Sequence, residues 1–136
     1  MTVKYLLDTN VLLRHLTQDS PEHSARADAL VRRIEEGSLE VQITDVVIFE
    51  AVFTLQRYYR AARPLIVAGL LPIIELPGVE LAGKHVYRRA FALYTSTGVG
   101  FADCYHAALM ERYGVTEVYS FDRDFDRLPG IQRREA

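Results

Sequence analysis

The sequence is nearly free of cysteine: Cys104 is the only one in 136 residues, and tryptophan is absent. A single cysteine excludes an internal disulfide framework and a metal site built from several thiolates. A chain of this length buries roughly two-thirds of its unfolded surface, so it can hold an apolar core without cross-links. We therefore expect a single globular domain, residues 1–136, in a reducing cytoplasmic compartment.

Long hydrophobic runs are also lacking. The longest uncharged apolar stretch covers residues 64–74, which is too short to span a bilayer and is interrupted by Gly69 and Pro72. Near the start of the chain, Asp8 precedes any hydrophobic region of the kind that a signal peptide requires. The sequence thus predicts neither secretion nor membrane insertion.

An excess of positive charge is missing as well. The net charge is −2, and Lys4 and Lys84 are the only lysines among 16 basic residues. This balance argues against a polycation that coats nucleic acid, although segregated surface charge still allows a nucleic-acid enzyme. The planar fork of arginine suits phosphate recognition, while a solvated surface is the commoner role of any single arginine.

Short β-branched runs alternate with longer helical patterns along the chain. Ser20 predicts the start of one helix, Thr44 or Asp45 the start of another, and Gly114 the end of a third. Strands separated by helices require right-handed crossovers, so we expect an α/β fold in three layers, with a small, mainly parallel central sheet. The predicted strands are 3–7, 40–44, 79–81 and, as the last, 115–121; the predicted helices are 11–16, 21–36, 46–55, 64–76, 84–95 and 102–113, followed by a polar tail that turns at 129–130.

Three aspartates occupy positions where a parallel sheet binds its ligands, at the carboxyl ends of strands. Asp8 follows the first predicted strand, Asp122 follows the last, and Asp103 begins a helix. Each also has an ordinary structural explanation. Asp8 can cap the next helix, Asp122 can serve a turn, and Asp103 can complement the helix dipole.

Glu50 interrupts an otherwise uncharged apolar segment, residues 46–53. A buried carboxylate is costly without a partner, so we expect it either to pair with an arginine such as Arg57 or to face a polar cleft or a metal ion. Four carboxylates brought together would repel one another unless a cation neutralises them. Hard divalent ions such as Mg²⁺ prefer these oxygen ligands, which indicates metal-assisted phosphodiester hydrolysis.

Four segments together resemble the PIN domain, and the length resembles that of the VapC-type toxin ribonucleases within that family. The resemblance covers nearly the whole chain, since its parts are distributed from the first strand to the last. The segments are residues 8–14 (Asp-Thr-Asn-Val-Leu-Leu-Arg), Glu50, residues 101–103 (Phe-Ala-Asp) and residues 121–125 (Phe-Asp-Arg-Asp-Phe).

The resemblance implies an acidic site that binds Mg²⁺ or Mn²⁺ and cleaves RNA endonucleolytically. It also implies a homodimer and inhibition by a small cognate antitoxin, as in type II toxin–antitoxin pairs. Carried over residue by residue, the acidic quartet is Asp8, Glu50, Asp103 and Asp122, with Thr9, Asn10 and Ser120 at the supporting polar positions and Asp124 as the alternative fourth acid.

Other functions remain open at this level. A housekeeping RNA-processing nuclease would share the same chemistry, and a non-catalytic PIN-like scaffold would share the fold. A phosphatase of the haloacid dehalogenase type is disfavoured, because it needs an aspartate where this chain has Asn10. His106 lies one helical turn after Asp103, and we expect a core or rim histidine there more than a metal ligand.

Aromatic and basic residues offer further candidate contacts. Tyr58, Tyr59 and Tyr105 can stack on unpaired bases, although core or interface packing is the commoner role of tyrosine. The arginines near the end of the 46–55 helix can form a phosphate-binding rim, a solvated face or a dock for an acidic partner; they are Arg57, Arg60 and Arg63, with Arg14 as a further candidate. For an antitoxin, the places to inspect are that helix and the helix around residues 25–30.

Overall fold

A computed structural model describes residues 5–135 and confirms the α/β class with parallel strands. Val3 and Lys4, at the start of the first predicted strand, lie outside the described residues. The elements are β1 (Tyr5–Leu6), α1 (Thr9–Thr17), α2 (Pro21–Glu35), β2 (Val41–Gln42), α3 (Asp45–Arg57), α4 (Arg63–Ile74), β3 (Val79–Glu80), α5 (Val86–Thr97), α6 (Phe101–Tyr113), β4 (Glu117–Tyr119), a 3₁₀ helix (Arg123–Arg127) and β5 (Gln132–Arg134).

The chain divides into two compact units, Met1–Lys84 and His85–Ala136. The expectation of a single domain over residues 1–136 stays a prediction. No helix among the described residues is long and apolar enough to cross a membrane.

In the first unit, β1, β2 and β3 form a parallel sheet in that order. Tyr5 is in register with Val41, and Val41 with Val79. The pairing is continued by a hydrogen bond of 2.9 Å from the Leu7 amide to the Gln42 carbonyl. Each strand is followed by a helix or a turn leading to one, and Asp8 lies between β1 and α1, two residues after the end of β1.

The helix boundaries follow the local signals in the sequence. Ser20 is the N-cap residue of α2, with Pro21 at its first position, as predicted. Of the two candidate caps for α3, Thr44 is the one used, since its hydroxyl accepts a hydrogen bond of 3.3 Å from the Val47 amide. Pro72 lies inside α4, two residues before the helix ends.

The core of the first unit is aliphatic. Helix α1 packs against α2 and α3, and α3 packs against α4. Burying one such side chain contributes roughly 1.5–3 kcal/mol relative to exposure, so the combined burial holds these short strands and helices together. The fully buried side chains include Leu12, Ile34, Ile43, Ile48, Ile66, Leu70 and Ile74.

The core of the second unit is aromatic and joins α5 to α6. Phe91 stacks on Phe101 with ring centroids 4.9 Å apart, and Tyr94 meets Phe101 edge-on at 5.6 Å. Tyr87 packs against both phenylalanines. Phe91 and Tyr94 are fully buried.

The predicted end of the chain was wrong. Residues 122–135 are not a plain polar tail, since they contain a 3₁₀ helix and a fifth strand that pairs in parallel with β4. The turn predicted at 129–130 is present, with Gly130 at φ 74°. Strand β5 has the sequence Gln-Arg-Arg, so hydropathy gives no strand signal there.

Ion pairs of its two arginines add to the backbone pairing of β5 with β4. The Arg133 side chain is only 10% exposed, and it pairs with Asp126 at 3.1 Å and with Glu135 at 3.2 Å. It also donates to the Ser120 carbonyl at 3.2 Å, while Arg134 pairs with Glu117 across the two strands. These partners, Asp126 above all, raise the pKa of the Arg133 guanidinium.

A polar network ties the end of α1 to the loop after α3. The Asp19 carboxylate accepts hydrogen bonds from Tyr59 at 2.5 Å, from Arg14 at 2.8 Å and from Thr17 at 3.0 Å. Led by the Tyr59 hydroxyl and the Arg14 guanidinium, these donors lower the pKa of Asp19 to about 2. The network fixes the Tyr59 ring on the surface of the first unit.

The aromatic core can be tested by removing one ring. Phe91→Ala should lower the free energy of unfolding by about 3–5 kcal/mol, because the ring is fully buried and leaves a cavity. Urea denaturation followed by circular dichroism measures the loss. Phe53→Ala is the matched control, since Phe53 is 62% exposed and should cost about 1 kcal/mol or less. Equal losses in the two variants would contradict this description of the core.

The Asp19 network should show in the pH dependence of stability. A lowered carboxyl pKa stabilises the folded state above the unfolded pKa, and the stabilisation disappears as the pH falls towards about 2. Asp19→Asn should therefore be less stable than the native chain at pH 7, and the gap should shrink between about pH 4 and pH 2. Glu36→Gln, an exposed acid with no ion pair among residues 5–135, should show no such gap. A gap for Asp19→Asn that is independent of pH would refute the assignment.

Candidate functional site

Three carboxylates lie together in the second unit. Asp103, Asp122 and Asp124 each offer an oxygen, and these oxygens lie within 4.8 Å of one another. Asp103 and Asp122 were both predicted as site residues, and Asp124 was the alternative to Asp122. The structure brings all three into one acidic cluster. Asp122 and Asp124, the two candidates for the fourth acid, therefore lie at the same site.

Helix α6 positions the first member of the cluster. The helix begins after Gly100, and Asp103 lies in its first turn. Phe101 and Cys104 are buried on either side of it in sequence, which leaves Asp103 half-buried at the edge of the core. Cys104 itself is fully buried, with its Sγ 3.5 Å from the Val99 carbonyl, so it is a small core residue.

A hydrogen-bonded turn after β4 positions the other two. The Ser120 hydroxyl accepts a hydrogen bond of 2.9 Å from the Asp122 amide, and Asp122 Oδ1 accepts one of 2.9 Å from the Asp124 amide. Asp122 is thereby the N-cap of the 3₁₀ helix. Ser120, predicted as a supporting residue, thus hydrogen-bonds to the backbone amide of Asp122.

Electrostatic repulsion marks the cluster. Burial, together with the charge of Asp122, raises the pKa of Asp103, and Asp124 adds to the rise. The Arg127 guanidinium lies 3.9 Å from Asp124. Carboxylate oxygens at this spacing are the donors that a hard divalent cation prefers, and such an ion would relieve their mutual repulsion. The residues therefore fit Mg²⁺ or Mn²⁺.

An apolar groove of about 600 Å³ runs beside the cluster, between α6 and β4. Asp103 and His106 form part of its wall, and Met110 and Tyr113 continue the same face of α6. The spacing 103, 106, 110 and 113 is the signal that sequence analysis missed, since it places these residues on one side of a helix. His106 is exposed at the rim of the groove and is not a member of the acidic cluster.

Asp8 lies in the first unit, exposed, directly before α1. It occupies the N-cap position of α1, but its side chain makes no capping hydrogen bond, which removes the ordinary structural explanation for it. Beside it, the Thr9 hydroxyl oxygen is buried with no hydrogen-bond partner among the described residues. Asn10 is exposed and lines a cleft with Arg14 on α1.

Glu50 also lies in the first unit, and the structure corrects the prediction made for it. Its side chain is exposed on α3, and within residues 5–135 no ion pair joins it to Arg57. The Arg57 guanidinium lies over the Phe53 ring instead, 5.6 Å from its centroid. The alternative expectation, that Glu50 faces a polar cleft or a metal ion, stays a prediction. Burial was not the outcome because α3 also exposes apolar side chains such as Val46, so an apolar neighbourhood in sequence did not mean burial.

The chain is similar to known proteins along most of its length. The family model of the PIN domain matches residues 5–131. A VapC ribonuclease from Aquifex aeolicus is 31% identical over 125 residues, which cover 90% of each chain. VapC ribonuclease Mb1869c from Mycobacterium bovis and ribonuclease VapC13 from Mycobacterium tuberculosis are each 27% identical over 131 residues, covering 94% of this chain and 97% of theirs.

The repulsion within the cluster predicts a stability change in the metal-free protein. A raised carboxyl pKa means that the charged form of Asp103 destabilises the fold at pH values above that pKa. In EDTA at pH 7, Asp103→Asn should therefore raise the melting temperature by a few degrees, and the gain should shrink as the pH falls to about 4. Differential scanning fluorimetry measures both.

Added Mn²⁺ should reverse the order of the melting temperatures of the native chain and Asp103→Asn. The native chain should gain melting temperature with increasing Mn²⁺, while Asp103→Asn should gain less, because one ligand is gone. Glu36→Gln should behave as the native chain does under both conditions. A native chain whose melting temperature ignores Mn²⁺ would contradict the metal site.

Proposed function

The chain belongs to the PIN-domain family, and we propose that it is a divalent-metal-dependent endoribonuclease, the toxin of a type II toxin–antitoxin pair. The observation that carries the proposal is the acidic cluster of Asp103, Asp122 and Asp124, with oxygens within 4.8 Å of one another. The three relatives bear names that describe them as ribonucleases, and two of these names begin with VapC.

Mg²⁺ or Mn²⁺ would be held by the carboxylates of the proposed acidic set. Asp8 and Asp103 are assigned direct ligation, and Glu50 and Asp122 either ligation or positioning of the attacking water, with Asp124 as the alternative fourth acid. Asp8 and Glu50 stay in the set because both match the family pattern and both carboxylates lack an ion pair among the described residues. When bound, the ion would polarise the scissile phosphate and make a water molecule more acidic.

The chain's own contribution is orientation. The Ser120–Asp122–Asp124 hydrogen bonds fix two carboxylates before substrate arrives, so little ordering has to occur during the reaction. Asp103 is held by the first turn of α6, which is anchored in the aromatic core. The groove beside the cluster exposes Tyr113 and Tyr119, whose rings suit unpaired RNA bases.

The proposed partners are an antitoxin and a second copy of the chain. A cleft of about 350 Å³ between α1 and α2 combines apolar residues with three basic ones. It includes the residues 25–30 region singled out from the sequence, and it suits an amphipathic segment with acidic side chains. Its lining residues are Asn10, Val11, Arg14, His23, Arg26, Ala27 and Leu30. Size-exclusion chromatography with light scattering tests the homodimer.

RNA cleavage by the purified protein is the primary test. A pool of structured RNAs should be cut with Mg²⁺ or Mn²⁺ and left intact in EDTA. Asp8→Asn and Asp103→Asn should each lower the cleavage rate by about a hundredfold or more, as loss of one positioned charged group at a reacting centre does. Glu36→Gln is the control, an exposed acid outside the proposed acidic set with no ion pair among residues 5–135, and it should stay active.

Two outcomes would overturn the hydrolase. Cutting that persists in EDTA, or in both variants, would refute the acidic site. Absence of cutting together with absence of Mn²⁺ binding by calorimetry would indicate a PIN-like scaffold.

The toxin role has its own test in cells. Induced expression of the native chain in a bacterial host should arrest growth, and Asp103→Asn should abolish the arrest because it removes RNA cleavage. The readout is the colony count after induction, with Glu36→Gln again as control. Normal growth of cells that contain active enzyme would indicate a housekeeping RNA-processing nuclease instead.

A further inference from the structure

We propose that the C-terminal end of α3 is a binding site for single-stranded RNA, formed by Phe53, Arg57, Tyr58 and Arg60. We call these four residues the α3 platform. The proposal rests on the proposed ribonuclease function, and it concerns how substrate is held away from the acidic residues. All four side chains belong to the first unit and are exposed.

The platform contains aromatic surface that core packing does not explain. Phe53 is 62% exposed and Tyr58 is 78% exposed. The Tyr58 ring is supported from the side by Tyr59, with centroids 5.0 Å apart in an edge-to-face arrangement. Tyr59 is itself fixed by its hydrogen bond to Asp19. An exposed ring on a rigid support is what stacking on an unpaired base requires.

The platform also contains arginines suited to phosphate. The Arg57 guanidinium carbon lies over the Phe53 ring, 5.6 Å from its centroid, and a guanidinium placed in this way can still donate N–H groups to phosphate. Neither Arg57 nor Arg60 pairs with an acid within residues 5–135. The favourable interaction of a cation with a helix C-terminus accounts for Arg57 alone, but it does not account for an exposed Tyr58 or for Arg60.

Arg60 occupies a backbone position that glycine would fill at lower cost. Its φ is 53°, in the left-handed region, at a turn closed by a hydrogen bond from the Ala61 amide to the Leu55 carbonyl. Glycine is the usual residue at such a position after a helix. Retaining arginine there sacrifices stability, which favours a role for its side chain in binding.

The platform lies on the same stripe of α3 as a proposed site residue. Glu50, Phe53 and Arg57 follow one another at intervals of three and four residues, so they share one face of the helix. All three are exposed. Seven residues separate Glu50 from Arg57, which is about 10 Å along a helix axis. RNA bound at Arg57 would thus lie a short distance along the strand from a phosphate near Glu50.

The test is RNA affinity, measured by fluorescence anisotropy with a short fluorescein-labelled single-stranded RNA of mixed sequence in EDTA, where cleavage is prevented. Tyr58→Ala should weaken binding about five- to tenfold through loss of one stacked base, and Tyr58→Phe should retain it. Arg57→Gln should weaken binding and reduce the salt slope of log K by about 0.7, the value for one phosphate of a single strand. Arg33→Gln, the same charge change on α2, should do neither.

Arg60→Gly separates binding from folding. It should keep or raise the melting temperature, because glycine accepts a positive φ, while it weakens RNA binding severalfold. In cleavage assays with Mg²⁺, Tyr58→Ala should raise KM and leave kcat near the native value, since the ring holds substrate away from the reacting phosphate.

Three results would refute RNA binding by the α3 platform and leave the proposed ribonuclease activity unaffected. The first is unchanged RNA affinity in Tyr58→Ala and Arg57→Gln. The second is a change of oligomeric state in these variants with native RNA affinity, which would make this surface a protein interface. The third is an equal loss in Arg33→Gln, which would indicate general electrostatics only. Failure of the ribonuclease itself would appear separately, as absence of metal-dependent cutting by the native chain.

Discussion

Repulsion among three carboxylates is the constraint on which the second unit depends. Asp103, Asp122 and Asp124 present oxygens within 4.8 Å of one another, and the pKa of Asp103 is raised by its burial and by Asp122. Such a cluster opposes folding, so the surrounding structure must offset it. The offset comes from a turn that hydrogen-bonds its own backbone through Ser120 and from a helix whose first turn is anchored by Phe101.

The two units differ in how they present the side chains that are proposed to function. The second unit places its acids on a rigid frame, in which aromatic packing joins α5 to α6 and ion pairs of Arg133 join β5 to its neighbours. The first unit has an aliphatic core and instead displays unpaired groups on its surface. Asp8 leaves its capping role unused, and α3 exposes Glu50 and Phe53 along one stripe. In each unit, the buried core stabilises the fold, and the proposed functional side chains lie at the edge of that core.

Prediction from the sequence succeeded where a local rule decides the outcome. Ser20 with Pro21, Thr44 and Gly114 marked helix ends because capping depends on a few neighbouring residues. It failed where partners are distant in the chain. Strand β5 was missed because the groups that hold Arg133 and Arg134 come from Asp126, Glu117 and a neighbouring strand, none of which hydropathy detects. The expected pairing of Glu50 with Arg57 was wrong, because Arg57 lies over the Phe53 ring and the apolar neighbours of Glu50 in sequence do not bury it.

The sequence by itself determined the class of the fold and indicated candidate acidic residues, because periodicity, caps and the position of an acid near the end of a strand or the start of a helix depend on adjacent residues. Asp103 and Asp122 are predicted as site residues in this way. Only the tertiary structure decided that Asp124 joins them, that Ser120 orders the turn, and that Arg57 lies over Phe53 rather than beside Glu50. Those outcomes depend on distances between side chains, and such distances are set by packing of whole elements, which no local pattern encodes.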